Sequence, residues 1–503
     1  MTIVKTNSLD FDAQALRERI LDLAMRGKLV PQDPNDEPAS VLLDKIKAEK
    51  AELIKEKKIK KTKSLPPITD DEKPFDIPDS WEWVRLGDVG TITSGGTPKT
   101  SEKSYWEEGK IPWITPAVMS ASQNDIVFNN KDVKYINNLG LEKSSAHLIQ
   151  KDSLVVSSRA PIGYVNIVPF EYTTNQGCKS VSLYDDTNKQ FIYFAIKNAV
   201  PEMNRRASGT TFKEISGTKF GQTIVPLPPL SEQSRIAAKI AQLFALLRKV
   251  ESSTQQYAKL QTLLKSKVLD LAVRGKLVKQ DPNDEPAGEL LKKIKAEKAE
   301  LIKEKKIKKS KPLPPITDDE KPFDIPDSWE WARLGDLVSP VEYAMADGPF
   351  GSNLKKADYT NQPEVRIVQL SNIGENGWKD DNVKYTTFDH LKLIRRSEVF
   401  PGNIVIAKMM PAGRAILIPN KDKKYVLSSD AVKFIPTDLL NKQFLLNAIN
   451  SNVYRDQVNK KLQGTTRPRT SLKKLKNFVL PIPPIQEQKR ILSKLSMLKQ
   501  DLI

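Results

Sequence analysis

The chain has 503 residues, room for two to four domains, and 39% of them are hydrophobic, enough to build real cores. Lys and Arg number 80 against 62 Asp and Glu, a formal charge of +18 that points to a polyanionic partner, of which nucleic acid is the usual one. A single cysteine, Cys178, excludes an internal disulfide, the distant histidines His147 and His390 argue against an ordinary zinc site, and no apolar run approaches a membrane span. The opening MTIVKTNSLDFD carries acids where a signal peptide needs its apolar core, so a soluble, cytoplasmic protein is expected.

Along the chain, residues 1–80 read as a conserved helical region. Leu9, Ala13, Leu16, Ile20 and Leu23 form an apolar stripe, and the turn Gln-Asp-Pro-Asn-Asp-Glu-Pro follows at 32–38. A Lys/Glu-rich helix around 39–61 has a thin apolar set, Leu42, Ile46 and Leu53, and reads as a solvated or partner-docking face rather than a phosphate strip. A Pro-rich linker leads to Trp81-Glu-Trp83, predicted to be a first strand with buried rings. Residues 81–229 then form one α/β domain, with strands at Ser153–Arg159 and Tyr164–Pro169 and a helix near 188–206.

Residues 230–328 form a central conserved region. Its apolar seam is Ile236, Ile240, Leu243, Leu247, Val250, Leu264, Val268 and Leu271, broken only by Thr254 and Gln261, with Tyr257 between them. Such a 4–3 repeat predicts one helix from Glu232 to Arg274, stopped by Gly275 and roughly 65 Å long. The turn and the Lys/Glu helix recur at 280–286 and 287–309. Residues 329–484 make a second α/β domain, with strands at Asn403–Met409 and Arg414–Pro419 and a helix near 438–461. Residues 485–503 end the chain with Ile491, Leu495, Leu498 and Leu502 on one stripe.

The repetition is the strongest feature. Leu16 to Val89 aligns with Leu264 to Leu337 at an offset of 248, with 61 of 74 positions identical. Pro226 to Ile240 resembles Pro481 to Leu495 at an offset of 255, and the segments between the repeats, roughly 90–225 and 338–480, differ strongly. At these offsets the last residue maps onto position 248 and the first onto 249. The chain thus reads as a ring of two equivalent halves, cut once inside one of two equivalent helices. The expected fold is α+β: two α/β domains linked by two long antiparallel coiled-coil helices in a pseudo-twofold circular arrangement. Leu16, Ile20 and Leu23, with Ile491, Leu495 and Leu498, are the expected pairing residues of the split helix.

Base edges are read by paired hydrogen bonds from Arg, Lys, Asn and Gln, while hydroxyls and Gly-rich loops grip phosphates. On residue type, Ser94, Thr97, Ser157, Ser158, Arg159, Asn175, Gln176, Lys179, Thr210, Thr211 and Lys213 are candidates in the first domain. Ser352, Lys408, Arg414, Thr465, Thr466, Arg467 and Arg469 are candidates in the second. Catalysis finds no support: there is no phosphate-binding loop, no amino-methyltransferase tetrapeptide and no dinucleotide turn. Asp71-Glu72-Lys73 and Asp319-Glu320-Lys321 mimic part of a nuclease site but lie in Pro-flanked linkers. No catalytic residue, metal ligand or cofactor of its own is assigned. A fused methyltransferase or nuclease and a protein-only coiled-coil adaptor are the rival readings.

Pro228-Pro229-Leu230-Ser231-Glu232-Gln233, Pro483-Pro484-Ile485-Gln486-Glu487-Gln488, Leu271 to Leu277, Leu334-Gly335-Asp336, Gly209-Thr210-Thr211 and Thr174 to Gly177 resemble the specificity subunit of Type I restriction–modification systems over essentially the whole chain. One departure, a nearly complete constant block before the first variable domain, merely moves the chain cut. The resemblance implies that 81–229 and 329–484 are target recognition domains reading an asymmetric bipartite site in double-stranded DNA, with the helices as a ruler between half-sites. It implies as partners two modification subunits, which use S-adenosylmethionine, and restriction subunits, which use ATP and magnesium.

Overall fold

The computed structural model describes residues 12–61, 64–184, 187–209, 213–307, 309 and 311–501, of which 499–501 are described as helix only. The chain divides into two compact units, one ending at Thr254 and the other beginning at Gln255.

In the first unit α1 (Ala13–Met25) starts at Asp12, whose side chain accepts from Ala15 N, and α2 is Ala39–Lys55. The apolar set of α2 is too thin to bury more than one edge: Leu42 and Ile46 are buried, while Lys47, Glu52 and Lys55 are exposed. Strand β1 (Glu82–Arg85) pairs antiparallel with β6 (Ile224–Leu227), Trp83 opposite Pro226. Between them β2 (Gly90–Ser94), β3 (Leu154–Ser158), β4 (Ile162–Ile167) and β5 (Cys178–Leu183) form a four-stranded sheet in the order β2-β5-β3-β4. Helix α3 (Lys189–Arg206) belongs to the same core, with Phe191, Phe194 and Ile196 fully buried. The sheet is covered on both faces: Leu154 and Val156 join one cluster, and Val155 joins another around Tyr172 and Cys178.

The second unit repeats this frame. After α4 (Leu230–Val273), a helix of 44 residues, comes α5 (Ala287–Lys303). Strand β7 (Glu330–Arg333) pairs with β12 (Val479–Ile482), and β8 (Met345–Asp347), β9 (Ile404–Ala407), β10 (Ala415–Leu417) and β11 (Ala431–Phe434) form a sheet in the order β8-β11-β9-β10. The single helix expected near 438–461 is two: α6 (Lys442–Asn450) and α7 (Asn452–Lys460). Ser451 breaks it by turning extended (ψ 158°) and donating its hydroxyl to Ala448 O at 2.6 Å. The Lys/Glu helices also stop earlier than expected, at Lys55 and Lys303, because Lys57 and Lys305 take the left-handed conformation (φ 58° in both). The chain ends in α8 (Ile485–Asp501).

Helix α4 does stop before Gly275, whose φ of +67° suits only glycine at low cost. A Cβ there would sit 2.5 Å from Pro326 Cγ. Within the first unit, Arg17 bonds Glu251 and Gln32 bonds Glu232. Partner numbers fall as residue numbers rise, so the chain from Arg17 to Gln32 runs back along that stretch of α4. Ile236 and Ile240 are fully buried in a cluster with Leu21 and Met25, Ile20, Leu23, Leu243 and Leu247 are half-buried, and Leu16 and Val250 are exposed. In the second unit Ile491 and Leu495 are buried with Val268 packed on their cluster, Leu271 and Leu498 are half-buried, and Leu264 is exposed. Leu9 and Leu502 lie outside the described residues.

The Pro-Pro-x-x-Glu-Gln repeats lock each domain to its helix. Glu232 is buried and accepts from Trp81 Nε1 at 2.9 Å and Gln32 Nε2 at 2.6 Å. Its twin Glu487 accepts from Trp329 Nε1 at 2.8 Å and Gln280 Nε2 at 2.7 Å. Gln233 and Gln488 accept from the backbone of Asn188 and Asn441, just ahead of the domain helices.

Candidate nucleic-acid interface

In the first domain, strand registers bring the scattered polar clusters together at one edge of the sheet. Ser94 and Val156 both lie opposite Lys179, and Ser157 opposite Cys178. Strand β3 then runs into a turn with a cis Ala160–Pro161 bond, and Ser208 and Glu214, the two ends of a strap, meet there through Arg159↔Glu214 and Ser208↔Glu214 bridges. The loop at 174–177 docks on the loop after β2: Gly96 N donates to Thr174 O at 2.9 Å and Thr97 Oγ1 donates to Gln176 Oε1. Gly95 permits this approach, since a Cβ there would meet Asn175 O at 2.0 Å.

The assembled face sorts the candidates. Ser94, Thr97, Gln176 and Lys213 are exposed, and Arg159 and Asn175 are half-buried. Three face inward instead. Ser157 is fully buried; its Oγ donates to Pro161 O at 2.8 Å and accepts from Gly163 N and Tyr164 N at 3.1 and 2.8 Å, so it builds the turn rather than meeting a phosphate. Ser158 is also fully buried and accepts from Lys179 Nζ at 3.2 Å. Lys179 completes its set with Gln176 O at 2.9 Å and Glu214 Oε1 at 3.4 Å, so its three N–H groups are all taken. Thr210 and Thr211 lie outside the described residues. The carboxylate of Glu214, which residue type alone did not single out, sits between Lys179 and Arg159 Nη1, the latter 3.8 Å away.

The second domain builds the same edge. Asp347 and Ile406 lie opposite Val432, Ala407 opposite Ala431, and β9 runs into a cis Met410–Pro411 turn. A strap closes over it through Met409↔Arg469 and Gln463↔Arg469 bridges. Ser158 and Lys408 are thus equivalent, as are Ser94 and Asp347, Lys179 and Val432, Arg159 and Met409, and Glu214 and Arg469. The strap returns alike in both: Ile215 N donates to Ser158 O at 3.0 Å, and Thr470 N to Lys408 O at 2.8 Å. Lys408 Nζ pairs with Asp347 Oδ1 at 2.7 Å, both side chains mostly buried. Arg414 lies 3.5 Å from Glu375. Burial and the like charge of Arg455 lower its pKa while Glu375 opposes them. Ser352, Thr465, Thr466, Arg467 and Arg469 are exposed. No group of His, Cys, Asp and Glu able to hold a metal ion occurs among the described residues. Glu72 and Glu320, the middle residues of the nuclease-like triplets, cap short turns and bind Arg85 and Arg333.

The model of the "Type I restriction modification DNA specificity domain" family matches residues 78–261 and 326–503. The chain is 33% identical to the Type I restriction enzyme EcoAI specificity subunit of Escherichia coli over 97% of this chain and 89% of that one. It is 31% identical to the EcoEI specificity subunit of the same organism, over 96% and 88%. In fold it is similar to a chain from a solved structure concerning complex assembly and conformational transition of the type I R-M system, with a TM-score of 0.56 and 18% identity over 85% of this chain and 92% of that one.

Proposed function

The chain belongs to the Type I restriction–modification DNA specificity family, a DNA-recognition and non-catalytic role, and on that premise we propose that its two sheet edges are two reading heads, each taking one half of a bipartite site. The observation that carries this reading is one backbone frame with unlike chemistry at equivalent positions. Ser94, Ser158, Lys179 and Glu214 in one head stand where Asp347, Lys408, Val432 and Arg469 stand in the other. The same frame implies the same docking to a duplex, and unlike side chains imply unlike bases, so the full site is asymmetric. Exposed Ser94, Thr97, Gln176, Lys213, Ser352, Thr465, Thr466 and Arg467 supply backbone and base contacts around each strap.

Partner docking follows from the constant segments. Lys45 to Lys61 and Lys293 to Lys309 are identical, including side chains that packing does not constrain: Lys47, Glu52 and Lys55, with Lys295, Glu300 and Lys303, are exposed. Identity on an uncovered surface supports two copies of one partner, the modification subunit, with restriction subunits completing the assembly. S-adenosylmethionine, ATP and magnesium are then used by the partners, and the complex works in the cytoplasm. Titration of the chain, complexed with its modification subunit, into duplex DNA at 50 and 200 mM salt tests the DNA reading. Six or more phosphate contacts would cost roughly 10³-fold in affinity across that range; salt-independent association would favour a protein-only adaptor.

A further inference from the structure

The strap over each cis-proline turn carries one side chain that the rest of the face leaves unexplained. In the first head it is Glu214. Its Oε1 anchors Lys179, whose ammonium is saturated and turned inward. Its Oε2 is 3.8 Å from Arg159 Nη1, beyond hydrogen-bonding distance, and the two side chains are 38% and 35% exposed, so both reach solvent. A carboxylate facing a polyanion is repelled unless it meets a donor. The donors that a duplex offers in its major groove are the exocyclic amines of cytosine and adenine.

In the second head the same strap position holds Arg469. The cation beneath it, Lys408, is neutralised by Asp347 of β8, across the intervening strand β11, so no carboxylate is needed on the strap. Arg469 is exposed, touches Met409 Sδ at 3.9 Å and enters no ion pair among the described residues. It presents a fork of donors, the complement of the paired O6 and N7 acceptors of guanine.

We propose that the strap residue is the specificity-determining side chain of each head: Glu214 accepts from the exocyclic amine of a cytosine or adenine in the first half-site, and Arg469 donates to the O6 and N7 of a guanine in the second. This rests on reading the two sheet edges as DNA-contacting faces.

The test maps methylated sites made by the chain assembled with its modification subunit, for the parent, E214A, R469A and the double variant K179M/E214A. The double variant removes the buried ammonium together with its counter-charge, so a misfolded head is separable from a lost contact. The expected result is that E214A and the double variant relax one position of the first half-site by roughly 10-fold or more, leaving the second half-site intact. R469A relaxes one guanine of the second half-site alone. Two results overturn the inference: the first half-site unchanged in E214A, or lost at every position in the double variant. If exchanging the whole of 81–229 also leaves the motif unchanged, the underlying reading fails as well, which distinguishes the two.

Discussion

At the scale of single residues, the frame of each unit turns on a buried arginine. Arg333 is 2% exposed and spends all five N–H groups: on Pro314 O, Pro315 O, Asn477 O and both oxygens of Glu320. It thereby ties the Pro-rich linker to the start of the domain. The hydrogen bond from Arg333, helped by the Thr317 backbone, depresses the Glu320 carboxyl to about 2. A depressed carboxylate stabilises the fold above its ordinary value of 4.5 and loses that contribution as pH falls from 4.5 toward 2. R333M is expected to cost about 3 kcal/mol at neutral pH, because it strands the carboxylate and three carbonyls. In urea unfolding, the gap between R333M and the parent should narrow below pH 4.5; a gap independent of pH would contradict the pairing. Residue type told us less on the reading face. Ser157, Ser158 and Lys179 carry the right groups but point inward, because the sheet is covered on both faces and a register shift between Val156 and Ser158 disturbs the alternation. Neither is visible without the tertiary fold.

At the scale of elements, periodicity served well where one face of a helix is buried and poorly where local hydrogen bonds decide. The 4–3 stripe from Ile236 to Leu271 marked α4 to within two residues of its observed ends, and Gly275 marked its stop. The break at Ser451 lies inside an apolar pattern that continues through Val453 and Val458, so only the capping geometry reveals it. The Glu-Gln pairs were legible as motifs, but their partners are 151 and 158 residues away in sequence, at Trp81 and Trp329. Burial raises the Glu232 and Glu487 carboxyls more than their tryptophan and glutamine donors lower them. The sign is therefore opposite to Glu320: each weakens the fold at neutral pH, and that cost is relieved as pH falls through its raised value. W329F removes one of the two donors to Glu487 and should destabilise the second unit by about 1–3 kcal/mol. W81F should do the same in the first unit. Unchanged urea midpoints for both would contradict the locking role.

At the scale of the whole molecule, the two offsets of the repeat gave the duplicated organisation, and the two units do share one frame in the order of the four-stranded sheet and in the strand pair that closes each domain, while their smaller sheets differ. The choice of bases was not legible, because the side chain proposed to make it, the one the strap presents, is fixed only by register. Helix α4 joins the two heads along the chain. Inserting one heptad near residue 256 would lengthen it by about 10 Å, or about three base pairs at roughly 3.4 Å per pair. If the helix sets the separation of the half-sites, the insertion widens the unread gap by that amount and leaves both half-sites unchanged. A gap of unaltered length would remove the ruler from the account without touching the reading heads. Above the ruler stands the proposal that one frame, used twice with different side chains, reads two different half-sites. Its most direct test is to co-express the chain with its modification subunit and map methylated adenines across a genome lacking other adenine methylation. One asymmetric motif is expected, two unlike specified segments around an unspecified gap; a palindromic or uninterrupted motif would mean that the two heads do not read different half-sites.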